Sequence, residues 1–172
     1  MNTHEPSSAR AQTGFFANTA QLLAAAGDGA SPGESAAPRA SARASVLRTL
    51  IVEDAPQISD RLIEMVSVPG EVEVMATAAT EALALAACDA QAFDLAVVDL
   101  QLAQGTGFAV IRRLRAKDSP GHRACIIVLT NHAVPALKIA AFDAGADHFF
   151  DKSKNFSSIS GVIAELLSGR AR

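Results

Sequence analysis

An excess of basic residues is missing: 15 Lys and Arg stand against 18 Asp and Glu, for a formal charge of −3. That balance offers nucleic acid or anionic membranes no bulk attraction, so a charge-driven DNA binder is disfavoured and no direct nucleic-acid contact is expected. Cysteine is scarce too. Cys88 and Cys125 fall short of a disulfide framework or a zinc-ligand set, and both lie in apolar runs, which reads as reduced thiols in the core. No uninterrupted apolar run reaches the roughly 18 to 20 residues of a membrane-spanning helix, so no membrane insertion is expected. The nearest approach to a leader peptide, 15–26, follows Arg10 and ends Ala24-Ala25-Ala26 like a small-residue cleavage site. Asn18, Thr19 and Gln21 interrupt it and Glu5 precedes it, so the expected location is cytoplasmic.

What is present suffices for a packed domain: 172 residues, of which 49% are hydrophobic. The composition changes near Val46. The stretch 27–38 is built from small residues, Pro and Gly, which bury too little to offset the entropy of ordering, so 1–46 is expected to be a flexible low-complexity tail. Within it Phe15, Leu22, Leu23 and Ala26 fall near one face at helical spacing, which reads as a transient helix or, alternatively, a docking segment. The folded domain is then 47–172.

From Leu47 onward short β-branched runs alternate with longer segments of helical period, the pattern of an α/β domain with a parallel sheet. Strands are predicted at 49–52, 72–77, 95–98, 125–129 and 148–150, and helices at 58–66, 79–87, 108–115, 134–142 and 159–167. The first, third and fourth strands are near-continuously apolar, as suits the middle of a sheet covered on both faces. The alternation Glu71-Val72-Glu73-Val74 in the second suggests an edge.

Ligand sites of open α/β sheets lie beyond the carboxyl ends of the strands. Those ends carry Glu53-Asp54, Asp99, Thr130-Asn131 and Asp151-Lys152. Carboxylates gathered on one rim repel one another unless a cation neutralises them, and hard oxygen donors suit Mg²⁺. After the first strand the chain reads Glu53-Asp54-Ala55-Pro56, with none of the glycines of a nucleotide-binding loop. A single phosphoryl group is the better fit: Mg²⁺ and Lys152 to neutralise its oxygens, Thr130 to donate a hydrogen bond, and Asp99 as the nucleophile that forms an aspartyl phosphate. His4, His122, His132 and His148 show no metal-ligand spacing, and His148 reads as the partner of a nearby polar group. The cluster Arg112-Arg113-Arg115-Lys117 reads as a solvated helix end.

Taken in order, these residues resemble the receiver domains of two-component response regulators: Glu53-Asp54, the run 97–102 around Asp99 followed by Gly107-Phe108, then Thr130, then Lys152. The resemblance covers 47 to about 167. It implies a flavodoxin-like fold with a five-stranded parallel sheet in the order 2-1-3-4-5 and helices on both faces. It also implies a signalling domain rather than an enzyme, self-catalysed phosphotransfer and dephosphorylation apart. Asp99 would accept the phosphoryl group from a histidine kinase or histidine phosphotransfer protein. Asp54 and Asp99 would bind Mg²⁺ directly, Glu53 through water, and Gln101 through its backbone carbonyl. Phe149 resembles the aromatic whose rotamer follows the Thr in the family's switch.

The chain departs from the family at three places. Ala103 and Ser153 stand where proline is frequent, which would loosen a loop turn and remove a commonly cis peptide bond; Asn131 stands where a small residue is usual and would crowd the phosphoryl entrance. Only about twenty residues follow Lys152, too few for a helix-turn-helix output domain, so a stand-alone receiver is expected. Its downstream protein partner would contact the 134–167 face. Two other readings compete: a Mg²⁺-dependent phosphatase of haloacid-dehalogenase type, and an interaction module that never takes up phosphate.

Overall fold

The computed structural model describes residues 46–170, so the predicted tail up to residue 45, with its candidate helix, lies outside the described residues. The described chain alternates strand and helix: β1 (Leu47–Val52), α1 (Pro56–Val66), β2 (Val72–Ala78), α2 (Glu81–Ala90), β3 (Leu95–Val98), α3 (Gly107–Arg115), β4 (Cys125–Thr130), α4 (Pro135–Ala144), β5 (His148–Asp151) and α5 (Ser158–Arg170). All strand pairings are parallel, in the order β2-β1-β3-β4-β5. The fold is the expected flavodoxin-like one, with β2 at an edge.

Helix ends are set by local chemistry. α1 and α4 open on Pro56 and Pro135, whose missing N–H is unneeded in a first turn and whose fixed φ suits it. The hydroxyls of Thr80 and Thr106 cap α2 and α3, accepting from the N–H of Leu83 and of Phe108. The Thr80 cap places the start of α2 at Glu81, two residues later than the periodicity suggested.

Two apolar layers sandwich the sheet. Leu47, Ile51, Leu95, Val97, Ile127 and Leu129 pack with Leu62 and Val66 of α1 and with Ile159, Val162 and Ile163 of α5. Leu50, Val52, Ala96, Val98, Ile126 and Val128 face the opposite way, onto Ala84 and Cys88 of α2, Val110, Ile111 and Leu114 of α3, and Ala141 of α4. Strands so alternated and covered read as continuous apolar runs, as β3 does, buried at every position. Of the two thiols, Cys88 is buried and Cys125 only half-buried; both are free, and burial pushes each up to about 11, which favours the protonated thiol.

The order places β1 between β2 and β3. The chain leaves β1 toward one neighbour and returns through the other, so the loops after β1 and β3 part and open a crevice at their carboxyl ends. Among the described residues no helix is long and apolar enough to cross a membrane.

Candidate active site

The crevice holds the acidic residues singled out above. Glu53 and Asp54 directly follow β1, and Asp99 directly follows β3, its N–H donating to the carbonyl of Val52. One carboxylate oxygen from each of Glu53, Asp54 and Asp99 lies within 4.8 Å of the others, and this is the one such group among the described residues. Glu53 and Asp99 are buried; Asp54 is half-buried.

Lys152 reaches into the group from beyond β5. Its Nζ donates to Oε2 of Glu53 at 2.5 Å and to Oδ2 of Asp99 at 2.6 Å. Its side chain is 6% exposed, so the ammonium and its two partners are nearly dry, where an ion pair is stronger and a lone charge far costlier than in water. Three carboxylates against one ammonium leave negative charge in excess, and the donors are hard oxygens at close spacing. The residues therefore fit a small divalent cation, with the donor set of Mg²⁺. Burial raises the Glu53 carboxyl above its ordinary value of 4.5, while Lys152 pulls it down and Asp99 pushes it up.

Backbone amides bond three of the four remaining carboxylate oxygens. Asp99 Oδ1 accepts from the N–H of Gln101 at 3.1 Å, Glu53 Oε1 from that of Ala55 at 3.3 Å, and Asp54 Oδ2 from that of Ala103 at 2.8 Å. Gly107 opens α3 directly against this rim. A Cβ there would overlap the carbonyl oxygen of Asp99 and press on Val98, so only glycine lets the helix start so close to the acidic residue.

Thr130 ends β4, fully buried, and its carbonyl receives the N–H of Lys152, which places the two at one rim. Its hydroxyl oxygen accepts from the N–H of His132 at 3.3 Å. Gln101 is exposed on the β3–α3 loop, and Phe149 pairs with Val128 in the ladder, packed against the α2–α4 core layer. Every candidate residue named from the sequence thus belongs to this rim or to the strand beside it.

Other expectations are refined. His148 partners an aromatic ring rather than a polar group, its imidazole stacked on Phe150 with centroids 6.1 Å apart. Of the basic cluster at the end of α3, Arg112 and Lys117 are exposed as expected, whereas Arg113 pairs with Asp89 and Arg115 binds Asp147 and the carbonyls of Gly145 and Ala124. At Ala103 and Ser153 the backbone amides bond carboxylates. Ala103 N–H goes to Asp54, and Ser153 gives both its N–H and its hydroxyl to Asp151, which holds that carboxyl below its ordinary 3.8. No described peptide bond is cis. Glu81, unremarked in the sequence, accepts from the N–H of Thr106 at 2.7 Å and so ties α2 to the β3–α3 loop. Its letter alone, one acidic residue in a first helical turn, carried no such signal.

Residues 49–164 match the family model of the response regulator receiver domain. A curated relative, the transcriptional regulatory protein TcrA of Mycobacterium tuberculosis, is 32% identical over 123 residues, which cover 70% of this chain and 46% of that protein. The chain thus spans less than half the length of that relative. Among solved structures, a CheY-like receiver domain protein from Methanospirillum hungatei aligns with a TM-score of 0.62 at 29% identity, covering 74% of this chain and 98% of its own. The receiver domain of sensor histidine kinase PA1611 from Pseudomonas aeruginosa, solved with a magnesium ion in its active-site cleft, aligns with a TM-score of 0.60 at 22% identity. It covers 72% of this chain and 99% of its own, a likeness of fold.

Proposed function

The chain belongs to the response regulator receiver family, and from that membership we propose that Asp99 is its phosphoacceptor, loaded by a histidine kinase or histidine phosphotransfer protein in the cytoplasm. The observation that carries this reading is the ammonium of Lys152 bonded at once to Glu53 and Asp99 at the sheet's switch point. The receiver unit is 47–172.

In the transfer an Asp99 oxygen attacks phosphorus, the P–N bond to the donor histidine breaks, and the imidazole leaves with its electron pair and takes up a proton. Asp99 is held in orientation from both sides, by Gln101 N–H on Oδ1 and Lys152 on Oδ2. Lys152 exchanges its bond to Asp99 for one to a phosphoryl oxygen as the acyl phosphate forms. Thr130 turns its hydroxyl toward the same group and gives up its bond to His132 N–H. Mg²⁺ would be held by Asp54, Asp99 and the backbone carbonyl of Gln101, with Glu53 acting through water; bound there, it neutralises charge on the phosphoryl oxygens.

Output is proposed to run through protein contacts on the 134–167 face. α4 supports this choice: only its Ala141 is fully buried, while Ile139 is 63% and Phe142 42% exposed, with Val134 just before the helix 49% exposed. Three large apolar side chains exposed on one short stretch offer a partner apolar contact area.

Incubation with acetyl phosphate and Mg²⁺ followed by intact mass tests the proposal. One phosphoryl adduct is expected in the wild type, none with excess chelator, and none in Asp99→Asn. Rapid turnover of the donor without a lasting adduct would favour a phosphatase, and no reaction an interaction module.

A further inference from the structure

The bond between Ala103 and Asp54 joins loops 49 residues apart in sequence, and its donor is a backbone amide on an exposed loop that water would otherwise solvate. That loop is a closed bend. Gln101 and Thr106 bridge across it, Gly107 N–H bonds the carbonyl of Leu100 at 3.1 Å, and Gly105 turns it at φ +87°. Its outer shoulder is pinned to α2: Glu81 Oε2 accepts from Thr106 N–H, and Glu81 N–H donates to the carbonyl of Gln104 at 3.1 Å. The amide of Ala103 is therefore a fixed donor, aimed at one oxygen, Oδ2, of a half-buried carboxylate. A proline here could not donate.

Building on the functional reading above, we propose that the N–H of Ala103 is a positioning group for the cation site, setting the orientation of the Asp54 carboxylate and thereby raising its affinity for Mg²⁺. Partners that orient metal ligands from behind typically carry about 10- to 100-fold in affinity. A single amide on an exposed loop belongs at the low end, so a loss of about ten-fold is expected when it is removed.

Calorimetric titration of the full chain with MgCl₂ tests this, comparing wild type with Ala103→Pro, which lacks the amide, and Ala103→Ser, which keeps it. Ala103→Pro should bind about ten-fold more weakly and Ala103→Ser as the wild type does, with both variants folded by circular dichroism. Equal or tighter binding by Ala103→Pro would overturn the proposal and leave the functional reading standing. No Mg²⁺ heat in the wild type would overturn both. Because proline could unfold the loop, a second measurement uses the wild type alone: hydrogen exchange of the Ala103 amide by NMR. Protection that persists at saturating Mg²⁺ supports a positioning bond, and protection lost on binding would show the amide and the cation competing for Asp54.

Discussion

Thr49 is the clearest case of a side chain at odds with its surroundings. It sits in β1 with no exposed surface, and its hydroxyl has no hydrogen-bond partner. A buried hydroxyl left unpaired costs about 1–3 kcal/mol, so Thr49→Val, nearly the same shape, should stabilise the domain by about 1 kcal/mol. Urea denaturation measures this, and a loss of stability would show that the hydroxyl has a partner in solution. Glu53 is the second case. Its carboxyl is raised above 4.5 mainly by burial, against the pull of Lys152. A carboxyl higher in the folded than in the unfolded chain favours the fold when protonated, below about pH 4.5. That contribution is lost as the pH climbs through the raised value and then stays lost. Glu53→Gln has nothing to lose, so its stability relative to wild type should rise with pH across that window and then level off. Denaturation at a series of pH values without Mg²⁺ checks it; a difference that does not change with pH would contradict the burial argument.

At the scale of elements, two glycines make opposite predictions. Gly145 ends α4 at φ +110°, and a Cβ there would run into the side chain of Arg115, whose guanidinium holds the Gly145 carbonyl. Gly145→Ala should cost about 2 kcal/mol from backbone strain, before the clash is counted. Gly161 lies inside α5 with open space around its would-be Cβ, so Gly161→Ala should stabilise by about 1 kcal/mol. Thermal melts of the pair should move in opposite directions, and a shared direction would contradict the local geometry. The elements themselves were legible because period and length separate buried strands from amphipathic helices. β2 shows the limit. Val72, Val74, Ala76 and Ala78 alternate evenly in sequence, as if on one face. In the sheet the register shifts after Thr49, which pairs with Val74, so that Leu50 pairs with Ala76 and Met75 is the extra residue. The bulge sends Val72 and Val74 to the α1 and α5 layer but Ala76 to the other. No letter announces a bulge, because both layers accept small apolar side chains.

For the molecule as a whole, the site was legible where side chains carry it and hidden where the backbone does. Glu53, Asp54, Asp99 and Lys152 stand at strand ends, and the parallel topology gathers strand ends on one rim whatever their separation in sequence. The amides of Gln101 and Ala103 bond the Asp99 and Asp54 carboxylates as well, and a backbone N–H leaves no trace in residue type. Ala103 reads from sequence as a loosened turn and proves to be a tie between two loops. On the functional reading proposed above, this rim loads Asp99 with a phosphoryl group. The most direct test is to treat the full chain with acetyl phosphate and Mg²⁺, reduce the acyl phosphate with borohydride, and map the reduced residue by peptide mass spectrometry. Reduction is predicted at Asp99 alone; reduction at Asp54 or Glu53, or at no aspartate, would contradict it.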